Sequence, residues 1–125
     1  MDNKDLKEIC ESLINTFLTA GERSIELRKI GLIEKIKSDN TPVTNGDLEV
    51  NEILTKKILN LTPNIPIISE ETESHKLNTN LNNFWLIDPI DGTYDYINNK
   101  EEFTLNAALI INKQTELGII NAPAK

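Results

Sequence analysis

Phe84-Trp85-Leu86-Ile87-Asp88-Pro89-Ile90-Asp91-Gly92-Thr93 is the stretch that decides how the chain folds. Its first four residues form an apolar run of strand length. The run ends abruptly in Asp88, with Asp91 three residues later. A carboxylate at the end of a buried strand is held by a rigid scaffold while it faces a cleft. Pro89 stiffens the turn that follows, and Gly92 lets its backbone N–H approach a ligand closely. A helix beginning at Thr93 would turn free N–H groups and the positive end of its dipole toward an anion such as phosphate. The plainer reading is a strand ending in an aspartate turn, with Asp91 capping a short helix that runs to about Ile97. Spacing alone leaves both readings open.

Upstream, the pattern repeats. Ile65 to Ile68 is a short apolar run that reads as a buried strand, and Ser69 leads it into Glu70-Glu71. Carboxylates gathered at neighbouring strand ends repel one another unless a cation sits among them. An all-oxygen set suits Mg²⁺ or Mn²⁺; zinc prefers His and Cys. The one histidine, His75, falls in a polar, Asn-rich stretch over 70–83 that reads as a surface loop. That leaves little material for a histidine metal site or a Ser-His-Asp triad. The other acids of Glu70-Glu71-Thr72-Glu73 read as a solvated loop. Further upstream, Thr44-Asn45-Gly46-Asp47 reads as a helix start, with Thr44 as cap and Asp47 completing a capping box. A carboxylate in a first turn can also reach a neighbouring metal.

Two helices precede these strands. Over 5–29, Leu6, Ile9, Cys10, Leu13, Ile14, Phe17 and Leu18 recur at three- and four-residue spacing and so share one face. Asp2 or Asn3 is placed to cap that helix. Cys10 lies on the apolar stripe and reads as a small core residue, because a reactive thiol wants an electropositive, polar setting. Residues 38–47 read as a loop by composition. A second helix is predicted from about Asn45 to Asn60, with Leu48, Ile53, Leu54, Ile58 and Leu61 inward. After the motif, Phe103 to Ile111 and Glu116 to Asn121 read as two strands joined at Asn112-Lys113-Gln114, an antiparallel hairpin. Helices first and strands after indicate one domain of α+β or layered α/β/α design.

The 125 residues carry 20 acidic and 13 basic side chains, a formal net charge of −7. That balance argues against a nucleic-acid backbone or an anionic membrane as main partner. No run approaches the roughly 18 apolar residues that span a bilayer. The charged N-terminus lacks the apolar core of a signal peptide, and one cysteine cannot form an internal disulfide. The expectation is a cytoplasmic protein, with peripheral contact to the inner membrane compatible with it.

These residues resemble the signature of the inositol monophosphatase superfamily of Mg²⁺-dependent, lithium-sensitive phosphatases. The decisive stretch carries the likeness, with Ser69-Glu70-Glu71 as the upstream Glu motif and Thr41-Pro42-Val43-Thr44 before Asp47 as the N-terminal loop. Within the superfamily the chain is most similar to the 3'(2'),5'-bisphosphate nucleotidase (CysQ-type) branch. Residues 39–44, 66–71, 102–110 and 117–123 point there, and the likeness runs over about 5–123. It implies a layered α/β/α sandwich of the sugar-phosphatase type: two long helices on an antiparallel-rich sheet.

The resemblance also implies roles. Glu70, Asp88, Asp91 and the backbone carbonyl of Ile90 would hold two or three Mg²⁺ ions, with Mn²⁺ able to substitute and Li⁺ inhibitory. Gly92, Thr93 and Asp91 would bind the substrate, the first two through backbone N–H groups on its phosphate. The Thr93 hydroxyl, paired with Glu70, would orient the attacking water. Asp47 would lie close to the metals, Thr44 would support it, and Lys37 would sit in a loop that shapes the site. The implied reaction removes the 3'-phosphate of 3'-phosphoadenosine 5'-phosphate; inositol monophosphate or a sugar bisphosphate are the alternative substrates. A further alternative is a cation-binding chain that is catalytically incomplete. Two departures stand out: Tyr94-Asp95-Tyr96 follows the motif where the nucleotidase branch carries a Lys-Glu pair, and Gly46 weakens the start of a helix. The family's chains run to about twice this length, so residues 1–125 match an N-terminal part, and the C-terminal half would supply a further metal-binding Asp. An open sheet edge and self-association would follow.

Overall fold

The computed structural model describes residues 1–71 and 81–125. Most of the polar stretch predicted as a surface loop, Glu73 and His75 included, lies outside the described residues. Helix α1 spans Asn3–Ile30, starting two residues earlier and ending one later than predicted. The Asp5 N–H donates to Asp2 Oδ1 at 2.8 Å, so Asp2 is the cap. Two short strands follow, β1 (Glu34–Ile36) and β2 (Pro42–Thr44), and β2 runs directly into α2 (Asn45–Leu61). Then come β3 (Ile67–Ser69), β4 (Phe84–Asp91), α3 (Thr93–Ile97), β5 (Thr104–Ile111) and β6 (Gln114–Asn121).

The main sheet has the order β3-β4-β5-β6. Strands β3 and β4 are parallel, and the other pairings are antiparallel. Helices α1 and α2 cover one face. Ile9, Leu13, Phe17 and Ala20 of α1 meet Val50, Leu54 and Ile58 of α2, and both rows pack on Trp85, Ile87, Leu105, Ala107 and Leu109. These strand residues alternate along β4 and β5, as period-two geometry requires. The Trp85 indole N–H is satisfied by Thr62 Oγ1 at 3.0 Å, so its full burial leaves no orphaned donor. The other face of the sheet leaves Leu86 and Ile120 exposed. The helix-on-sheet arrangement is as predicted; among the described residues no second helical layer covers that face.

Several expectations need correction. Ile14 and Leu18 belong to the apolar stripe by spacing, yet both are about half exposed. Among the described residues the sheet order ends at β6, and no further strand lies beyond Ile119 and Ile120 for them to pack against. Leu48 is exposed as well, because Asp47 and Val50 take the inward positions around it on α2. Residues 38–47 are not all loop: β1 and β2 form an antiparallel hairpin, Glu34 opposite Thr44 and Ile36 opposite Pro42. Its tip is closed by the Lys37 N–H donating to Thr41 O at 2.8 Å. Both strands are three residues long and β1 is fully exposed, so no apolar alternation announces them.

Strand β4 also continues past its predicted end. Asp88 pairs with Asn106 and Asp91 with Thr104, so two residues of β4, Pro89 and Ile90, stand opposite one of β5, Leu105. The extra residue is a β-bulge at buried Pro89, where a missing N–H costs no ladder bond. Without the bulge, residues 88 and 91 would point to opposite faces. With it, both line one cavity.

Candidate active site

Four segments meet at the C-terminal ends of β3 and β4. The parallel pairing of β3 with β4 extends to the Glu70 N–H donating to Ile87 O at 3.1 Å, which sets Glu70-Glu71 beside Asp88. The bulge brings in Asp91. The β1–β2 hairpin delivers Lys37, Asp39 and Thr41, and the start of α3 delivers Gly92, Thr93 and Tyr94. All line one open cavity of about 460 Å³.

Gly92 has φ 86° and ψ 44°, the left-handed conformation that an L side chain resists. A Cβ there would also stand 3.2 Å from Glu102 O. The turn that opens α3 therefore needs glycine. No side chain caps α3, which removes the reading of Asp91 as a helix cap. The first N–H groups of a helix have no intrahelical acceptor, and Gly92, Thr93 and Tyr94 at this helix start all line the cavity.

Asp47 is fully buried, and its carboxylate is spent on three donors. Oδ2 accepts from the Thr44 N–H at 2.8 Å and from Thr44 Oγ1 at 2.6 Å. Oδ1 accepts from Thr93 Oγ1 at 2.8 Å. The predicted capping box is present, with the Asp47 N–H donating back to Thr44 Oγ1. The hydroxyl of Thr93 is thus anchored to α2 through Asp47. Glu70 is exposed and lines the same cavity, whereas Asp47 is buried and reaches the first residue of α3 from α2.

The expectation of a solvated loop does not hold for Glu71. Its side chain is only 6% exposed, and it pairs with Lys37 Nζ at 3.7 Å. Burial raises its pKa, and Lys37 offsets part of that rise. The signal was present in the sequence as Glu70-Glu71 at a strand end, but choosing between the two required the strand's twist. The cavity thus holds five carboxylates against one ammonium. Burial first, and then Asp91, Glu70 and the other acids, push the Asp88 carboxyl up to about 6. Among the described residues, no three of these groups converge closely enough to hold an ion as they stand. Their chemistry, all oxygen and crowded enough to hold a carboxyl near neutrality, fits a hard divalent cation.

Residues 5–125 match the model of the inositol monophosphatase family. The chain belongs to the inositol monophosphatase family. A curated relative, the 3'(2'),5'-bisphosphate nucleotidase CysQ of Aggregatibacter actinomycetemcomitans, is 38% identical over 117 residues, covering 92% of this chain and 44% of the relative. The crystal structure of CysQ from Bacteroides thetaiotaomicron superposes with a TM-score of 0.72 at 31% identity, covering 96% of this chain and 44% of that one. An IMPase/NADP phosphatase complexed with Mg²⁺ and phosphate shares the fold, with a TM-score of 0.79 at 22% identity over 95% of this chain and 45% of that one. The chain therefore spans less than half the length of these family members.

The support beneath the cavity comes from residues outside the motif. Tyr96, the last residue of the departure at 94–96, is fully buried and donates from Oη to Ser24 O at 2.7 Å. A Cβ on Gly46 would stand 2.7 Å from Tyr96 Cε2. Gly46, read as a weak helix start, is the residue that admits this ring. Arg28 lies 5.6 Å from the Tyr96 ring centroid and donates to Lys100 O at 2.7 Å, which fixes the loop after α3.

Proposed function

We propose that these residues form the phosphate-and-metal half of a Mg²⁺-dependent phosphomonoesterase. Its preferred substrate is 3'-phosphoadenosine 5'-phosphate, cleaved to AMP and phosphate. The observation that carries the reading is the cavity itself: carboxylates from two strand ends face the start of α3, whose Thr93 hydroxyl is held by a buried Asp47. The CysQ relatives support the nucleotide substrate. The missing lysine at Tyr94 keeps inositol monophosphate and sugar bisphosphates as the substrates to compare.

Glu70, Asp88, Asp91 and the Ile90 carbonyl would hold the cations, two or three Mg²⁺, with Mn²⁺ substituting and Li⁺ inhibiting. Bound there, the metal supplies a water acidified toward neutrality and positive charge for the phosphate oxygens. The backbone N–H groups of Gly92 and Thr93 bind the phosphate. Thr93 Oγ1 donates its hydrogen bond to Asp47 Oδ1, so its lone pairs are left to accept from the attacking water and orient it. Water oxygen bonds to phosphorus as the bond to the 3'-oxygen breaks, and a proton goes to that leaving oxygen. The reading sets this chemistry in the cytoplasm, in keeping with a single, half-buried cysteine.

The coverage of less than half of each relative favours a second reading, in which the 125 residues bind cation and phosphate but do not turn over. Phosphate release from 3'-phosphoadenosine 5'-phosphate and inositol 1-phosphate, with and without Mg²⁺ and beside Asp88→Asn, separates the two. Mg²⁺-dependent release abolished by the substitution supports the first. Mg²⁺ binding without release supports the second. A folded chain with neither refutes both.

A further inference from the structure

We propose that Asn51 is a positioning residue for the glutamate turn, and that α2 thereby sets the cation affinity of the cavity. The inference rests on the cation reading above and deepens it. Asn51 lies one turn beyond Asp47 on α2, so the two share a helix face. Asp47 holds Thr93, at the start of α3. Asn51 holds the opposite wall: Ser69 Oγ donates to Asn51 Oδ1 at 2.5 Å. Ser69 is fully buried, and the same Oγ accepts the Glu71 N–H at 3.3 Å. The Glu70 N–H is fixed to β4 through Ile87 O. Asn51, Ser69 and Glu71 thus form one chain of hydrogen bonds from α2 into the turn that carries both glutamates.

The geometry has a consequence for charge. Glu70 and Glu71 stand in a cavity crowded with like charge, and repulsion favours swinging the turn outward. Strand β3 is only three residues long and grips the turn from one side. The α2 clamp grips it from the other. Since Asp47 and Asn51 are rigidly spaced by the helix, α2 fixes the distance between the wall bearing Thr93 and the wall bearing Glu70.

The test is Mn²⁺ binding by the 125-residue chain, followed by calorimetry, for wild type, Asn51→Ala, Ser69→Ala and the double variant. Asn51→Ala is expected to weaken Mn²⁺ binding about tenfold, the usual scale for losing a partner that orients a ligand. Ser69→Ala should do the same, and the double variant should be no worse than either single. Asn51→His, which keeps an acceptor, should restore binding to within threefold. Thr62→Val is the control: it removes the buried partner of Trp85, away from the cavity. It should lower the melting temperature and leave Mn²⁺ affinity unchanged. Equal loss of affinity in Thr62→Val and Asn51→Ala, or unchanged affinity in Asn51→Ala, overturns the proposal. Amide exchange at Glu70 and Glu71 gives a readout independent of metal, expected to quicken tenfold or more in Asn51→Ala. A wild-type chain that binds no Mn²⁺ refutes the cation reading. Unchanged exchange then refutes the clamp, and quickened exchange confined to these two amides upholds it.

Discussion

Asp88→Asn should stabilise the metal-free protein, although it removes a residue assigned to the site. The carboxyl is held at about 6 in the folded chain, against 3.8 for the unperturbed group. A raised pKa in the folded state means the folded chain holds the proton more tightly than the unfolded one. Stability from this group is therefore full below pH 4 and is lost as pH rises toward and through 6. Two units at 1.36 kcal/mol each come to about 3 kcal/mol. Asp88 is half-buried, so solvent screening cuts this to about 1.5 kcal/mol. For a chain of this size that is a rise of about 5 °C in melting temperature.

The assay is thermal and urea unfolding by circular dichroism in EDTA, at pH 5 and pH 7.5. The variant should lead at pH 7.5, and the gap should shrink at pH 5. Magnesium should reverse the order: at a hundred times its dissociation constant a ligand adds about 2.7 kcal/mol to the form that binds it, and the variant lacks a ligand. An Asn variant less stable than wild type in EDTA at pH 7.5 would refute the reasoning. So would a gap that does not change with pH.

Asp47→Asn removes a charge from the same neighbourhood and should do the opposite. Three donors converge on that buried carboxylate, and an amide offers them a single acceptor oxygen. The loss of cap and of satisfied hydrogen bonds should cost about 2–4 kcal/mol in urea unfolding; a neutral effect would mean that Asp47 is not the joint between α2 and α3. Gly46→Ala improves helix propensity by about 1 kcal/mol but drives a methyl into Tyr96. Overpacking of this kind should outweigh the gain and leave the protein about 1–2 kcal/mol less stable, and a stabilised variant would show that the ring does not stand where α2 begins.

Most of the elements, and the kind of donor atoms at the site, were legible in the chain's own spacing. Helical periodicity fixed α1 and α2, apolar runs fixed β3 to β6, and oxygen-only donors at strand ends pointed to a hard cation. Thr44 and Asp47 were legible as a capping box because capping is local. What the sequence could not show were the contacts made between distant segments. The hairpin of β1 and β2 has no apolar pattern to read, yet it carries Lys37 to Glu71. The exposure of Ile14 and Leu18 depends on where the sheet stops. The partner of Thr93 is Asp47, 46 residues away, because Asp47 reaches the first residue of α3 from α2. The bulge at Pro89 turns Asp88 and Asp91 to one cavity against the period-two rule. Local spacing decides which residues a segment presents; only the packing of one segment on another decides what those residues meet.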